Sequence, residues 1–201
     1  MKVFFLKSLK FVLPGLLLLL TACSGKKVEY NPATTNLSDL NHWMLKARVA
    51  IKTPEENVSA TLDWEKKADD FDFHIYGMFG ATYAHLTQEG RKAVLKVPDD
   101  QVFYHQDAEQ LIYQSLGWDF PIDALSYWIK GVPSYKAGEI LTRDEQENLS
   151  KVEFGDWQVT FSRYQNYSGY KMPKMIKAKH PQMSLKVVVK DWEFLPAEER
   201  H

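Results

Sequence analysis

A period of two recurs along most of this chain and limits the fold more than any other feature. Trp43, Leu45, Ala47, Val49 and Ile51 alternate with Met44, Lys46 and Arg48. Val58, Ala60, Leu62 and Trp64 alternate with Ser59, Thr61, Asp63 and Glu65, and Phe71, Phe73 and Ile75 with Asp72, His74 and Tyr76. Successive side chains of a strand point to opposite faces, so each stretch predicts a strand with one apolar face. Thr53 to Asn57 and Lys66 to Asp70 read as the turns between them. Further strands are predicted over 81–88, 92–97 and 102–105, then over 137–141, 149–154, 157–164, 174–179 and 183–192, about eleven in all. Nearly every connection is short, which favours antiparallel neighbours. A long antiparallel sheet with one apolar face curls or closes on itself. The expected class is mainly β with α. The pattern leaves open whether aromatic side chains fill the interior or line a hollow.

Between the two runs of strands the period changes. Asp107 can cap a helix whose Ala108, Leu111, Ile112 and Leu116 recur at helical spacing, and Gly117 stops it. Phe120-Pro121 opens a second helix, with Pro121 near its first turn and Ile122, Leu125, Trp128 and Ile129 facing one way. Gly131 and Pro133 end it. A short helix is also expected around Asn36 to His42, with Ser38 as its N-cap. Two amphipathic helices between runs of strands predict that one side of the sheet is covered.

One connection departs from the polar chemistry of turns. Gly77-Met78-Phe79-Gly80 sets two large apolar residues between two glycines. Phe79 either folds back under the sheet as core or stands out as an apolar finger toward a membrane or a lipid, and the pattern leaves both open.

The N-terminus carries a different message. Lys2, Lys7 and Lys10 precede an apolar run from Phe11 to Leu20, and Thr21-Ala22 leads into Cys23, the one cysteine of the chain. A basic start, a short apolar stretch and small residues describe a secretory signal peptide over 1–22. The run is short for a transmembrane helix, which needs about 20 residues. The Leu20-Thr21-Ala22-Cys23 arrangement resembles a bacterial lipobox, which implies cleavage before Cys23 and its lipidation. Several acyl chains, at about 0.8 kcal/mol per buried methylene, would anchor it stably. Residues 23–37 then read as lipidated N-terminus and flexible tether, and 38–201 as a single domain with a frayed end from Leu195 to His201. Ser24 stands where, in many Gram-negative lipoproteins, Asp favours retention at the inner membrane, so by the same resemblance it points to the outer membrane. Loss of the signal removes three lysines and leaves 22 basic against 26 acidic residues, a formal charge of −4. That balance speaks against nucleic acid, which needs clustered excess Lys and Arg.

The helical interlude also carries a family resemblance. Asp107-Ala108-Glu109-Gln110-Leu111-Ile112, Gly117-Trp118-Asp119-Phe120-Pro121-Ile122 and Leu125 to Pro133 resemble the outer-membrane lipoprotein receptor LolB family. Leu45 to Ala50, Leu62-Asp63-Trp64, Trp157 to Tyr164, Met172-Pro173 and Leu185 to Trp192 extend the similarity over nearly all of the mature chain. The resemblance implies an open, incomplete antiparallel barrel with helices as a lid over an apolar cavity. It implies a carrier rather than an enzyme: a monomer that accepts acylated lipoprotein cargo from a LolA-type periplasmic carrier and releases it into the lipids of the outer membrane. In the family a large apolar residue, typically Leu, projects from a loop and serves the membrane step. The matching loop here is Gly77, Met78, Phe79 and Gly80, with Phe79 in the Leu position and Met78 where Pro is frequent. Candidate acyl-contacting residues, chosen by alternation, are Trp43, Leu45, Trp64, Phe71, Phe73, Leu111, Ile112, Leu125, Trp128 and Trp157.

Enzyme chemistry finds little footing. The six histidines lie in no metal-ligand spacing, and Ser115, Ser126 and Ser134 lie in no nucleophile-elbow motif. Asp69-Asp70 and Asp99-Asp100 read as solvated turns, and no Gly-rich phosphate loop calls for a nucleotide or other cofactor. The rival reading is a lipid-anchored scaffold that binds envelope proteins through a sheet edge or helix face. It would have a filled barrel and a buried Phe79.

Overall fold

The computed structural model describes residues 35–117 and 119–194. The expected signal peptide (1–22), Cys23, the tether as far as residue 34 and the charged end 195–201 lie outside the described residues. Eleven strands and two helices follow in chain order: β1 (His42–Lys52), β2 (Asn57–Lys67), β3 (Asp70–Tyr76), β4 (Thr82–Glu89), β5 (Lys92–Val97), β6 (Gln101–His105), α1 (Ala108–Leu116), α2 (Ile122–Trp128), β7 (Ile140–Arg143), β8 (Leu149–Phe154), β9 (Trp157–Tyr167), β10 (Tyr170–His180) and β11 (Met183–Phe194).

All eleven form one antiparallel sheet in the order β6-β5-β4-β3-β2-β1-β11-β10-β9-β8-β7. Each strand pairs with its sequence neighbour, except that β1 also pairs with β11 and joins the two meanders. The sheet stays open, because β6 and β7 are its edges. The segment between those edges carries both helices across the inner face. α1 packs on β4, β5, β6 and α2. Every strand pairing is made between residues 42 and 194.

Alternation sets the core. In β1, Trp43, Leu45, Ala47 and Val49 are buried, and their partners Trp64, Leu62 and Ala60 in β2 are too. A bulge between Lys46 and Ala47 lets both Val189 and Trp192 of β11 point inward, although they are an odd three positions apart. Trp43 stands edge-on to Trp64 and Trp192, with centroids 5.1 and 5.2 Å away, and Trp64 edge-on to Phe73 at 5.1 Å. Such pairs add about 0.5–1.5 kcal/mol each beyond the area they bury.

The helix ends follow the sequence. The Asp107 carboxylate accepts from the Gln110 amide at 2.8 Å, and Gly117 closes α1 in the left-handed conformation with φ 70°. Pro121 is the residue before α2 rather than inside it. Gly131, φ 77°, follows α2 where a Cβ would lie 2.7 Å from both Pro173 Cδ and Tyr164 OH, so a side chain there would clash.

Several boundaries differ from expectation, among them β9, which runs on to Tyr167, and three have a visible cause. The N-terminal helix is one 3-10 turn, Leu37–Asp39, preceded by Asn36 with no side-chain cap; Ser38 lies inside it. β10 starts at Tyr170 rather than at 174, because Pro173 is buried and pairs opposite Tyr164. β7 starts at Ile140 rather than at 137, because Gly138 has φ 95° and Glu139 is committed elsewhere. The Glu139 carboxylate accepts from Trp128 Nε1 at 2.6 Å and from the Ser134 and Tyr135 amides at 3.2 and 3.0 Å.

Candidate functional site: an apolar cavity beside an exposed loop

Toward the end where β1 stops, smaller aliphatic side chains take over much of the inner face and it no longer fills. A cavity of about 280 Å³ opens there. Its wall comes from β1 and β2 (Val49, Leu62), from β10 and β11 (Ile176, Val187) and from the helices (Leu125, Ile129). Thr53, Glu56 and Pro98, from the turns after β1 and β5, line the same cavity. Its lining is predominantly apolar, the character that favours an apolar ligand over water.

Of the ten residues chosen by alternation, Trp64, Phe73, Ile112 and Leu125 line this cavity. The other six do not. Trp43 is packed in the tryptophan cluster, and Leu45 and Leu111 are buried without lining it. Phe71 lies toward the opposite end, where Lys66 Nζ stands 5.7 Å from its ring centroid. Trp128 is held in the core by its bond to Glu139. Trp157 Nε1 donates to the Asp119 carbonyl at 2.7 Å, with its ring against Phe120 and His180. Alternation marks the inward face but not the depth along the strand, which decides between filler and lining. Leu116, Phe120 and Ile129 line the cavity and were not chosen, although Leu116 and Ile129 stand on the apolar helix faces the sequence displays.

The Gly77–Gly80 loop sits at this end. Phe79 is 97% exposed and Met78 84%, so neither folds back as core. The loop is short and tied at its base: Gly77 N–H donates to the Ala81 carbonyl at 2.8 Å, and Gly80 N–H to the Gly77 carbonyl at 3.1 Å. Gly80 takes φ 81°, the conformation that favours glycine. Gly77 is buried with Tyr83 against it, a Cβ there coming within 3.2 Å of the ring. Tyr83 lines both the cavity and the outer groove that holds Met78 and Phe79.

The opposite end is polar. A pocket of about 520 Å³ is lined there by Lys66, Lys130, Glu109 and Asp123 among others. Lys130 is 3% exposed; its ammonium donates to the Leu40 carbonyl at 2.7 Å and lies 5.1 Å from the Tyr127 ring centroid. Burial, reinforced by repulsion from Lys66, pulls Lys130 down to about 8. Burial lowers Lys66 as well. Neither lysine was singled out from the sequence, where Lys130 looks like an ordinary charge after a helix.

The strand register also brings two histidines together. His74 and His85 face each other across β3 and β4, ring centroids 4.6 Å apart, with Asp72 3.0 Å from His85 Nε2. Burial, then the His85 charge, lowers His74. Neither histidine lines the apolar cavity. Among the described residues, no group of three or more His, Cys, Asp or Glu could hold a metal ion, and no helix is long and apolar enough to cross a membrane.

Comparison with known proteins bears on this geometry. Residues 41–192 match the family model described as Outer membrane lipoprotein LolB. An outer-membrane lipoprotein LolB from Aeromonas salmonicida is 30% identical over 183 residues, which span 89% of this chain and 93% of that protein. One from Ectopseudomonas mendocina is 30% identical over 190 residues, with the same coverage of 89% and 93%. Among solved structures, a LolA superfamily protein from Nitrosomonas europaea aligns with a TM-score of 0.49 at 11% identity, over 79% of this chain and 88% of its own.

Proposed function

The chain belongs to the outer-membrane lipoprotein LolB family, and from that premise we propose that it is a non-enzymatic lipoprotein acceptor of the outer membrane. It receives acylated lipoproteins from a LolA-type periplasmic carrier, holds their acyl chains in the apolar cavity, and releases them into the membrane. Cys23, lipidated after removal of 1–22, anchors it at the periplasmic face, and the tether gives the domain reach. The observation that carries this reading is the pairing of a predominantly apolar cavity with an exposed Met78-Phe79 loop at one end of the barrel.

The energetics of the route are consistent. Acyl chains are unfavourable in water, so a carrier must offer apolar surface from donor to bilayer. Direction then needs a cavity that holds the chains better than the donor and worse than the bilayer; no nucleotide enters. At about 280 Å³ the cavity is near the small end of ligand pockets, roughly 300–1,000 Å³, so the helices must yield to admit whole chains. Burial of Phe79 in lipid contributes about 1.5–3 kcal/mol, which suits a transient probe and falls far short of an anchor.

The test is a transfer assay with the chain from Ser24 onward. A periplasmic carrier loaded with triacylated lipoprotein is mixed with it, and the cargo is located before and after liposomes are added. The proposal expects cargo to move to this protein and then to liposomes. Cargo that stays on the carrier would overturn it and favour the scaffold reading.

A further inference from the structure

The groove that holds Met78, Phe79 and Tyr83 is completed on its other side by Arg48, Ala50, Lys186 and Val188, on the outer faces of β1 and β11. The apolar loop therefore does not stand alone. It rises beside a basic patch whose members are fixed by strand register. Arg48 lies opposite Thr61 in β2 and Val188 in β11. Lys186 lies opposite Ala50 in β1 and, on its other side, opposite Lys177 in β10. Lys52 and Lys179 flank Ser184 one step nearer the turns.

The outward positions of this part of the three strands are Arg48, Ala50 and Lys52; Ser184, Lys186 and Val188; and Met175, Lys177 and Lys179. Five are basic and none is acidic. An acid on the neighbouring strand, Asp63 of β2, is paired with Lys46 rather than Arg48 and accepts from Tyr76 OH at 3.0 Å, and Glu55 and Glu56 belong to the β1–β2 turn. Among the described residues, no ion pair involves Arg48, Lys52, Lys177, Lys179 or Lys186, and Arg48 donates only to Thr61 Oγ1, at 3.0 Å. Lys177 and Lys186, directly opposite across an antiparallel ladder, repel each other. The fold gains nothing from that arrangement. A ligand carrying fixed negative charge would.

We propose that this patch is a docking surface for the anionic phosphates of a phospholipid membrane, and that it sets the barrel down on the bilayer with Phe79 pointing in. The proposal rests on the membrane role of the loop and adds the headgroup chemistry. The occupant is a lipid surface, not an acidic protein, because the same groove presents Phe79 and Met78 almost fully exposed. An apolar tip with cations on one side of it matches the layering of a bilayer, hydrocarbon under phosphate. It fits the formal charge of −4 expected for the mature chain only if the positive charge is gathered on one side.

The test is vesicle flotation of the chain from Ser24 onward, which keeps every strand and both helices. Two vesicle compositions are used: phosphatidylcholine alone, and phosphatidylcholine with about a third phosphatidylglycerol. Each lysine near an anionic surface changes binding roughly fivefold at low salt, an effect that fades as the Debye length shortens. Binding to the anionic vesicles is expected to exceed binding to neutral ones by tenfold or more at low salt, and the gap to close in 0.5 M NaCl. Lys177→Gln with Lys186→Gln should remove most of that gap without lowering thermal stability, since it relieves a repulsion. Phe79→Glu should weaken binding to both compositions. Equal wild-type binding to the two, or a double variant that keeps the anionic preference, would overturn the patch and leave the loop reading intact. Phe79→Glu that binds neutral vesicles like wild type would overturn the loop reading. A double variant that floats normally but no longer takes cargo from the carrier would assign the face to the carrier and overturn the proposal.

Discussion

Where β1 begins, the inward side chains are Trp43, Trp64 and Trp192; where it ends, they are Val49, Ile51, Leu185 and Val187. The first set interlocks edge to face and seals the apolar interior from the polar pocket beyond it, Trp43 lining that pocket and Trp64 the apolar cavity. The second, smaller and aliphatic, leaves about 280 Å³ empty. The same strands with the same alternation thus build a sealed end and an open one, through side-chain volume, strand register and the path of the helices. Polar chemistry follows the same division. Buried Lys130 and half-buried Lys66 stand at the sealed end, whereas the open end carries Met78 and Phe79 exposed to solvent. Close aromatic packing is concentrated at one end, and space is left at the other.

The division predicts unequal responses to substitution. Trp43→Ala, at the sealed end, should lose about 3–5 kcal/mol in urea unfolding, as large-to-small changes of fully buried aromatics do. A loss below 1 kcal/mol would mean that the cluster is not the keystone of that end.

The sealed end should also show itself in pH. Lys130 is lowered to about 8 by burial first and the Lys66 charge second, against 10.5 in the unfolded chain. Below about pH 8 the ammonium stays charged in a desolvated place. As pH rises from 8 toward 10 the native state gives up that proton before the unfolded chain does, so stability should rise. The full effect is on the order of 3 kcal/mol. Urea midpoints at pH 7.5, 8.5 and 9.5 check this, and Lys130→Met should flatten the rise. A midpoint that falls across this range, or a rise unchanged in Lys130→Met, would contradict it.

At the open end, Ala178→Leu adds methyl groups toward empty space. It should cost less than about 1–2 kcal/mol, yet reduce binding of a fluorescent fatty acid by tenfold or more. Smallest in stability is Phe79→Glu, expected within about 0.5 kcal/mol because the side chain touches solvent. Cargo uptake should survive it and delivery to liposomes should fail.

The sequence displayed the fold well, because a period of two sustained over many short strands has few other solutions. Asp107, Gly117 and the Gly77–Gly80 bracket could likewise be read, since capping and left-handed turns demand particular residues. The cavity was harder. Trp43 and Trp64 look alike in the pattern, but Trp43 sits in the sealed cluster while Trp64 borders both cluster and cavity. Which inward residues meet empty space depends on register across several strands and on where the helices cross, and neither is local. Lys130 escaped for the same reason: the carbonyl its buried ammonium donates to, that of Leu40, lies ninety positions earlier. The basic patch is legible only once β1, β10 and β11 are known to be neighbours.

The most direct test is photo-crosslinking at two positions. A photoreactive amino acid replaces Leu116, which lines the cavity, or Ser38, which lines the polar pocket, in protein loaded with lipoprotein whose acyl chains are radiolabelled. The account predicts labelled adducts at 116 and none at 38. Adducts at 38 alone, or equal yields at both, would contradict it and move the lipid out of the cavity.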